Sequence, residues 1–378
     1  MKVIARQFTK DILLSTLFVL IVLIALFAFF GLIGQMDEVG RNEYDLATAF
    51  LLTGLTLPQR AYELSPLAVL LAAVYTMSRW ASTSEFTVLR AAGMSPVRLA
   101  AMLVVPGLVL LVSTYVLGEV AAPWAMRYST EVRSANDPTL TARGYNSGAW
   151  VRDLTKTPDG TEVDRFINIS SISAANRLET GAWRVFEFND AGKLSRIVRA
   201  ESGIFTPGKG WTLRNAVETI YPKLDRDKEN PQQAPLVRRT AAELPLASTV
   251  TPEILGVMMT KPERMAMLDL SSYIAHLDRV NQVSDHYRSV FWSKAFYPVG
   301  VLVMLAISMP FGYLNARSGG VAIKIFLGVL IGIAFYALNN LFSYLSAAAS
   351  APPALMAAVP SVFMLGASAL ALWWVERR

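Results

Sequence analysis

Cysteine is absent from this chain of 378 residues, and histidine occurs only twice. No disulfide can form, so any part exposed to an oxidising compartment must be held by an ordinary core. Cysteine ligation of a metal is excluded as well. His276 and His286 have no obvious companions at ligand spacing, and the expectation is two exposed helix histidines and no metal site. Charge is scarce: 17% of the residues are Asp, Glu, Lys or Arg, and 53% are hydrophobic. Average proteins carry roughly a quarter charged residues, so the balance points to an integral membrane protein. No G-x-x-x-x-G-K-[ST] phosphate loop, G-x-S-x-G or H-E-x-x-H occurs. The chain therefore lacks that device for binding ATP, and it displays no catalytic cluster. The net charge of +6 is small, and many basic residues flank apolar runs. They read as membrane anchors rather than as a nucleic-acid surface.

The apolar runs are long. Ile12–Met36 is free of charge over 25 residues, and Leu99–Gly118 over 20. Each is long enough to span a bilayer. The first follows a basic start (Lys2, Arg6, Lys10) and lacks a small-x-small cleavage pattern, so it reads as a retained span. A second span is expected over Leu64–Ser78, with Leu46–Leu57 as an interfacial lead-in interrupted at Pro58. Ala295–Ala316 is a fourth span. Ile325–Val375 carries no charge over 51 residues, and Ala351-Pro352-Pro353 divides it into a fifth and a sixth. Ionisable residues are nearly missing inside the runs, so an ion relay is not visible. Asn339 and Asn340 are expected to hydrogen-bond across helices.

Between the third and fourth spans the composition changes. Turn signals (Asn136-Asp-Pro138, Pro158-Asp-Gly160, Asn189-Asp-Ala-Gly192, Pro207-Gly208) separate runs rich in β-branched and aromatic residues. Strands are expected at Ala149–Leu154, Arg165–Ile172, Trp183–Phe188, Leu194–Phe205, Trp211–Tyr221 and Leu236–Leu246, forming an all-β sandwich or barrel-like domain. Thr251–Ser293 reads as helical. The fold class is thus an α-helical polytopic membrane protein of six transmembrane helices with an inserted all-β, jellyroll-like domain. The expected division is 1–126 for spans one to three, 127–268 for the β domain, and 269–378 for a lead-in helix and spans four to six.

Short loops on one side carry Lys2, Arg6, Lys10, Arg79, Arg90, Arg98, Arg317, Lys324, Arg377 and Arg378. The other side has the acidic 37–45 loop and the uncharged 346–353 turn. The positive-inside rule puts both termini in the cytoplasm and the β domain outside. Ser82–Pro96 then becomes a cytoplasmic element between two spans. Ser82 followed by Glu85 reads as a capping box, and Gly93 with Pro96 as the stop of a short helix.

Three stretches resemble the LptF/LptG permeases of the bacterial lipopolysaccharide exporter. They are Met77–Ser95 (MSRWASTSEFTVLRAAGMS), Gly118–Ala125 (GEVAAPWA) and Trp292–Gly312 (WSKAFYPVGVLVMLAISMPFG). Gly118-Glu119 and Gly148-Ala149-Trp150 resemble the LptG side of that family. The resemblance implies a permease, not an enzyme, in the bacterial inner membrane with its β-jellyroll in the periplasm. A heterodimer with a sister permease subunit would bind a cytoplasmic ATPase dimer. That partner, not this chain, would carry ATP and magnesium; no cofactor is expected here, and no nucleic acid. Lipopolysaccharide would enter between the first span of one subunit and the fifth of the other, then pass over the jellyrolls to periplasmic bridge proteins.

Carried onto this sequence, the resemblance makes 82–96 the coupling helix. Glu85 would face the ATPase, with Phe86, Leu89, Arg90 and Gly93 around it. Capping is the alternative role for Glu85, and interfacial snorkelling that for Arg90. Arg60, Arg127 and Arg133 would meet lipid phosphates, or serve as interfacial anchors. Phe30 on the first span and Phe335 and Tyr336 on the fifth would line the lipid path. Asp37 and Glu38 stand where family members carry lysines, so that loop is not expected to hold phosphate. A membrane scaffold that transmits force without moving lipid is the competing reading.

Overall fold

The structure is a computed structural model. It describes the chain apart from residues 1, 41–43, 84, 86–87, 89–90, 92–94, 137–147, 157–161, 172–177, 190–191, 222–235, 259–260, 314–320, 349–350 and 377–378. Two compact units emerge: Met1–Arg127 with Asp285–Arg378, and Tyr128–Ser284.

The first unit is helical. Helix α1 covers Lys2–Met36 and α2 covers Leu46–Ser82. Helix α3 (Pro96–Val116) continues through a π turn (Leu117–Ala121) into α4 (Ala122–Asn136), which belongs to the second unit from Tyr128 onward. Among the described residues, five helices are long and apolar enough to cross a membrane: Val3–Met36, Leu46–Ser82, Val97–Arg133, Val321–Ser346 and Pro353–Trp374. A sixth crossing exists only as a bent pair, Asp285–Phe296 with Val299–Tyr313, at 49°. The expected straight fourth span thus breaks at Tyr297-Pro298. Proline supplies no N–H, and its ring disfavours helix at the preceding residue.

The lead-in expected over Leu46–Leu57 is also different. Helix α2 is continuous through Pro58 and Pro66. Its start is fixed by Asp45, whose carboxylate accepts the Thr48 N–H at 2.8 Å. Each proline leaves one backbone bond of the helix unmade, and packing of the helix against its neighbours outweighs that loss. Seventeen residues of α2 are buried, which makes it the central post of the unit. Val69, Leu70, Ala73, Val74 and Met77 share a core with Val301, Val303, Met304 and Leu305.

The second unit holds one antiparallel sheet: β1 Ala149–Lys156, β2 Glu162–Ile169, β3 Glu179–Thr180, β4 Trp183–Phe188, β5 Leu194–Ala200, β6 Ser202–Thr206, β7 Gly210–Ile220 and β8 Val237–Leu246. Their order is β1-β2-β4-β5-β7-β6-β3, with β8 also on β7. The expected strands recur, except that Leu194–Phe205 divides at Glu201 and β3 was not foreseen. Strand β7 pairs β6 through Arg214 and β5 from Val217 onward. Asn215, with φ of 50°, sits at the change of neighbour; asparagine is among the few non-glycine residues that adopt this region readily. Trp183 and Trp211 are fully buried, 4.9 Å apart, and anchor the core with Ile167, Ile169 and Leu213.

Beside that apolar layer runs a row of inward charges, one on each of β1, β2, β4, β5 and β7: Asp153, Arg165, Glu187, Arg196 and Glu218. The register places Asp153 opposite Arg165, Arg165 opposite Glu187, and Glu187 opposite Arg196. Arg165 Nε meets Glu187 at 2.7 Å, and Arg196 reaches Glu187 at 3.5 Å and Glu218 at 3.2 Å. The segment after β8 crosses over this row. Arg165 donates to the Ala247 carbonyl, Thr249 donates to Asp153, and Trp211 Nε1 donates to the Val250 carbonyl.

Helices Pro252–Met258 (α5) and Met267–Arg279 (α6) complete this unit. His276, expected to be exposed, is instead 2% exposed. It falls on the α6 face that buries Leu270, Tyr273 and Leu277, at helical spacing. Burial lowers its proton affinity. His286 is exposed, as expected. The first unit resumes with α7 Asp285–Phe296, α8 Val299–Tyr313, α9 Val321–Ala348 and α10 Pro353–Glu376.

Candidate functional site

The segment between α2 and α3 is built differently from the capping-box expectation. Ser82 is not an N-cap. It is the last residue of α2, and its hydroxyl donates to the Arg79 carbonyl at 2.7 Å. Thr83 ends the helix: its N–H and its hydroxyl both reach the Arg79 carbonyl, and the hydroxyl also lies 3.1 Å from Glu85 Oε1. The apolar run through Trp80 carries the helix past Ser82, and the hydroxyl pair satisfies carbonyls left open at its end. Glu85 is helical and exposed, as are Val88 and Ala91. Phe86, Leu89, Arg90 and Gly93 lie outside the described residues. Pro96 opens α3 rather than merely stopping what precedes it. Ser95 is the N-cap, accepting the Arg98 N–H, and Pro96 follows at the first helical position.

Toward the start of α2, Arg60 pairs with Glu63 at 2.9 Å and lies over the Phe27 ring of α1 at 5.6 Å. An exposed pair of this kind is weak and leaves the guanidinium accessible. Arg127 is exposed and Arg133 half-buried on the α4 helix. Arg60 stands on α2, and Arg127 and Arg133 stand on α4. Phe30 is exposed and meets Phe29 edge-on at 5.8 Å. Tyr336 is exposed too, but Phe335 is 5% exposed and belongs to the helical core. A Cβ on Gly300 would meet its ring at 3.0 Å, so the small residue makes room for it. On a helix only one of two neighbouring residues faces a given side, and here it is Tyr336 that points outward. Asn339 donates to the Phe335 carbonyl of its own helix at 3.0 Å, not across helices, and Asn340 is exposed.

Two polar groups escaped the sequence reading. In the first, Lys294 of α7 meets Glu119 of the π turn at 3.5 Å, both almost buried. The rings of Tyr62 and Tyr297 lie beside them, tilted by 40° with centroids 4.6 Å apart, and Tyr297 donates to the Glu63 carbonyl at 2.6 Å. Gly118 lets the turn approach Tyr62, since a Cβ there would collide with the ring. In the second, Asp11 on α1 accepts from Arg79 at 2.5 Å and from Trp80 Nε1 at 2.9 Å. Glu119 and Lys294 stand inside two of the stretches quoted for their resemblance. Asp11 is the one acidic residue among the first 36. The signals were present, but their pairing needed the fold.

The profile of "Lipopolysaccharide export system permease LptF/LptG" matches residues 6–376. The chain belongs to the LptF/LptG family. Two relatives are each named lipopolysaccharide export system permease protein LptG. The one from Haemophilus influenzae is 24% identical over 353 residues, covering 91% of this chain and 89% of its own length. The one from Escherichia coli K12 is 25% identical over 378 residues, covering 100% and 98%. Within the LptF/LptG family this chain therefore leans to LptG. As an LptF/LptG permease it is a multi-pass membrane protein, with its β unit inserted between the third and fourth membrane segments.

Proposed function

We propose that this chain is the permease subunit of an ABC-type exporter that extracts lipopolysaccharide from the bacterial inner membrane and hands it to periplasmic bridge proteins. The observation that carries the reading is the family match over nearly the whole chain, on a layout of spans, β unit and spans. Both termini and the 82–96 segment are cytoplasmic in this reading, on the strength of the basic residues gathered there. The β unit is periplasmic. A sister permease completes a heterodimer, and a separate ATPase dimer binds ATP and magnesium and pushes on 82–96.

Glu85 is the contact with the ATPase. Its exposure supports this, since nothing described covers it except Thr83. Phe86, Leu89, Arg90 and Gly93 would complete that surface. Arg60, Arg127 and Arg133 meet lipid phosphates at the outer level, where charge-assisted bonds are strong. Phe30 and Tyr336 offer exposed aromatic faces on the first and fifth spans, and Phe335 supports the second of these from inside.

A photo-crosslinking residue in place of Phe30, in the assembled exporter in native membranes, tests the lipid path. The expected product is a lipopolysaccharide adduct that increases when ATP is withheld and lipid stalls. Recovery of ordinary phospholipid adducts alone, at Phe30 and at Tyr336, would favour a scaffold that moves no lipid.

A further inference from the structure

Helix α1 is buried at one end only. Its buried residues are Phe8, Ile12 and Thr16, every fourth position along one face. From Leu17 to Met36 none is buried. In the outer half the ties are single contacts: the Phe27 ring under Arg60, the approach of Gly31 to Thr53, and the Tyr44 hydroxyl, which donates to Gln35 at 2.5 Å. A helix attached this way swings more readily at its far end than at its root.

The root carries a polar clasp. Asp11 is 13% exposed. One carboxylate oxygen accepts from Arg79 and Trp80, and the other accepts from Gln7 at 3.0 Å. Phe8 packs edge-on against the Trp80 ring at 4.9 Å. One turn further along, Thr76 donates to Ser15 at 3.3 Å. Asp11 stands well inside α1, so stabilisation of a helix N-terminus does not account for it. Its donors do. Arg79 and Trp80 are in the last turn of α2. The Arg79 carbonyl accepts from the Ser82 hydroxyl and the Thr83 N–H, and the Thr83 hydroxyl lies 3.1 Å from Glu85. Glu85 is therefore linked through Thr83 to the backbone of Arg79, whose guanidinium holds the root of α1.

We propose that Asp11 is a positioning residue that passes movement of the 82–96 segment to the first span, which swings about this clasp to admit lipid. The inference rests on the reading given under Proposed function. Charge-assisted bonds suit the task, being short and directional, while the apolar contacts around them let the helices slide. Coupling through such a chain is established only by a perturbation that separates the two ends.

The test uses the complete complex of both permeases and the ATPase in vesicles containing lipopolysaccharide. Asp11→Asn keeps size and shape but gives up the charge. It is expected to assemble and hydrolyse ATP normally, while lipid released per ATP falls about tenfold, the scale of one charged hydrogen bond. The exchange Asp11→Arg with Arg79→Asp restores the pair and is expected to recover part of the loss. Because the chain has no cysteine, spin labels at Ile21→Cys and Val112→Cys report the swing directly. The label distance should change with nucleotide in the otherwise unaltered chain and stay fixed with Asp11→Asn. Wild-type release per ATP in Asp11→Asn would overturn the proposal. So would failure of that variant to assemble, which would make Asp11 a residue of the fold. Absence of ATP-driven release from the unaltered complex would instead sink the functional reading beneath it.

Discussion

Replacing Lys294 by methionine will destabilise the helical unit by about 3–5 kcal/mol, because it removes the cation paired with Glu119 in a nearly closed site. The side chains of Lys294 and Glu119 are only 9% and 12% exposed. Burying them together is costly, and mutual attraction repays the cost only while both are present. Carboxylates at membrane depth are expensive when their partner is removed. The double variant Glu119→Gln with Lys294→Met removes both charges, and is expected to recover most of the loss. Thermal unfolding of the purified chain in detergent, followed by size-exclusion chromatography, measures this. Equal destabilisation by the single and the double variant would show that the side chains matter by shape and not by charge.

Arg165→Met will be the most damaging single change in the β unit, again by about 3–5 kcal/mol. Arg165 stands between Asp153 and Glu187 and also ties down the Ala247 carbonyl. Without it, two inward carboxylates face each other across β2, and the segment crossing the row loses one of its bonds. At roughly 2–4 °C per kcal/mol for a unit of this size, the midpoint should fall by about 10 °C. Arg199 on β5 makes the control. It is exposed on the outer face of the same sheet, and Arg199→Met should stay within about 0.5 kcal/mol. Similar shifts for the two arginines would refute an energetic role for the inward row.

These two groups also mark what the sequence could express. Long runs without charge announce spans, and the alternation in Trp183–Phe188 announces a half-buried strand, because each follows a single local period. The inward charges break that code. Arg165 among Val163, Ile167 and Ile169 looks like a misplaced polar residue until its cross-strand partners are known. Pro58 and Pro66 signal a break, yet α2 runs through both, because packing of this mostly buried helix outweighs one lost backbone bond at each proline. Pro298 breaks its helix where no local signal distinguished it from them. Ser82 and Glu85 have capping-box spacing, but the apolar run before them already forms a helix, so their hydroxyl and carboxylate serve its end. At the candidate site, Arg60 and Phe30 were legible from topology. Asp11 and Lys294 were not, since their meaning lies in partners on other helices.

The central claim is that this chain converts work delivered at 82–96 into movement of lipopolysaccharide. The most direct measurement is ATP-driven lipid release by the purified exporter in vesicles, with Glu85→Ala beside the unaltered chain. The account predicts steady release that needs ATP and is largely lost in Glu85→Ala while the complex stays assembled. Undiminished release from Glu85→Ala, or none from the unaltered complex, would contradict it.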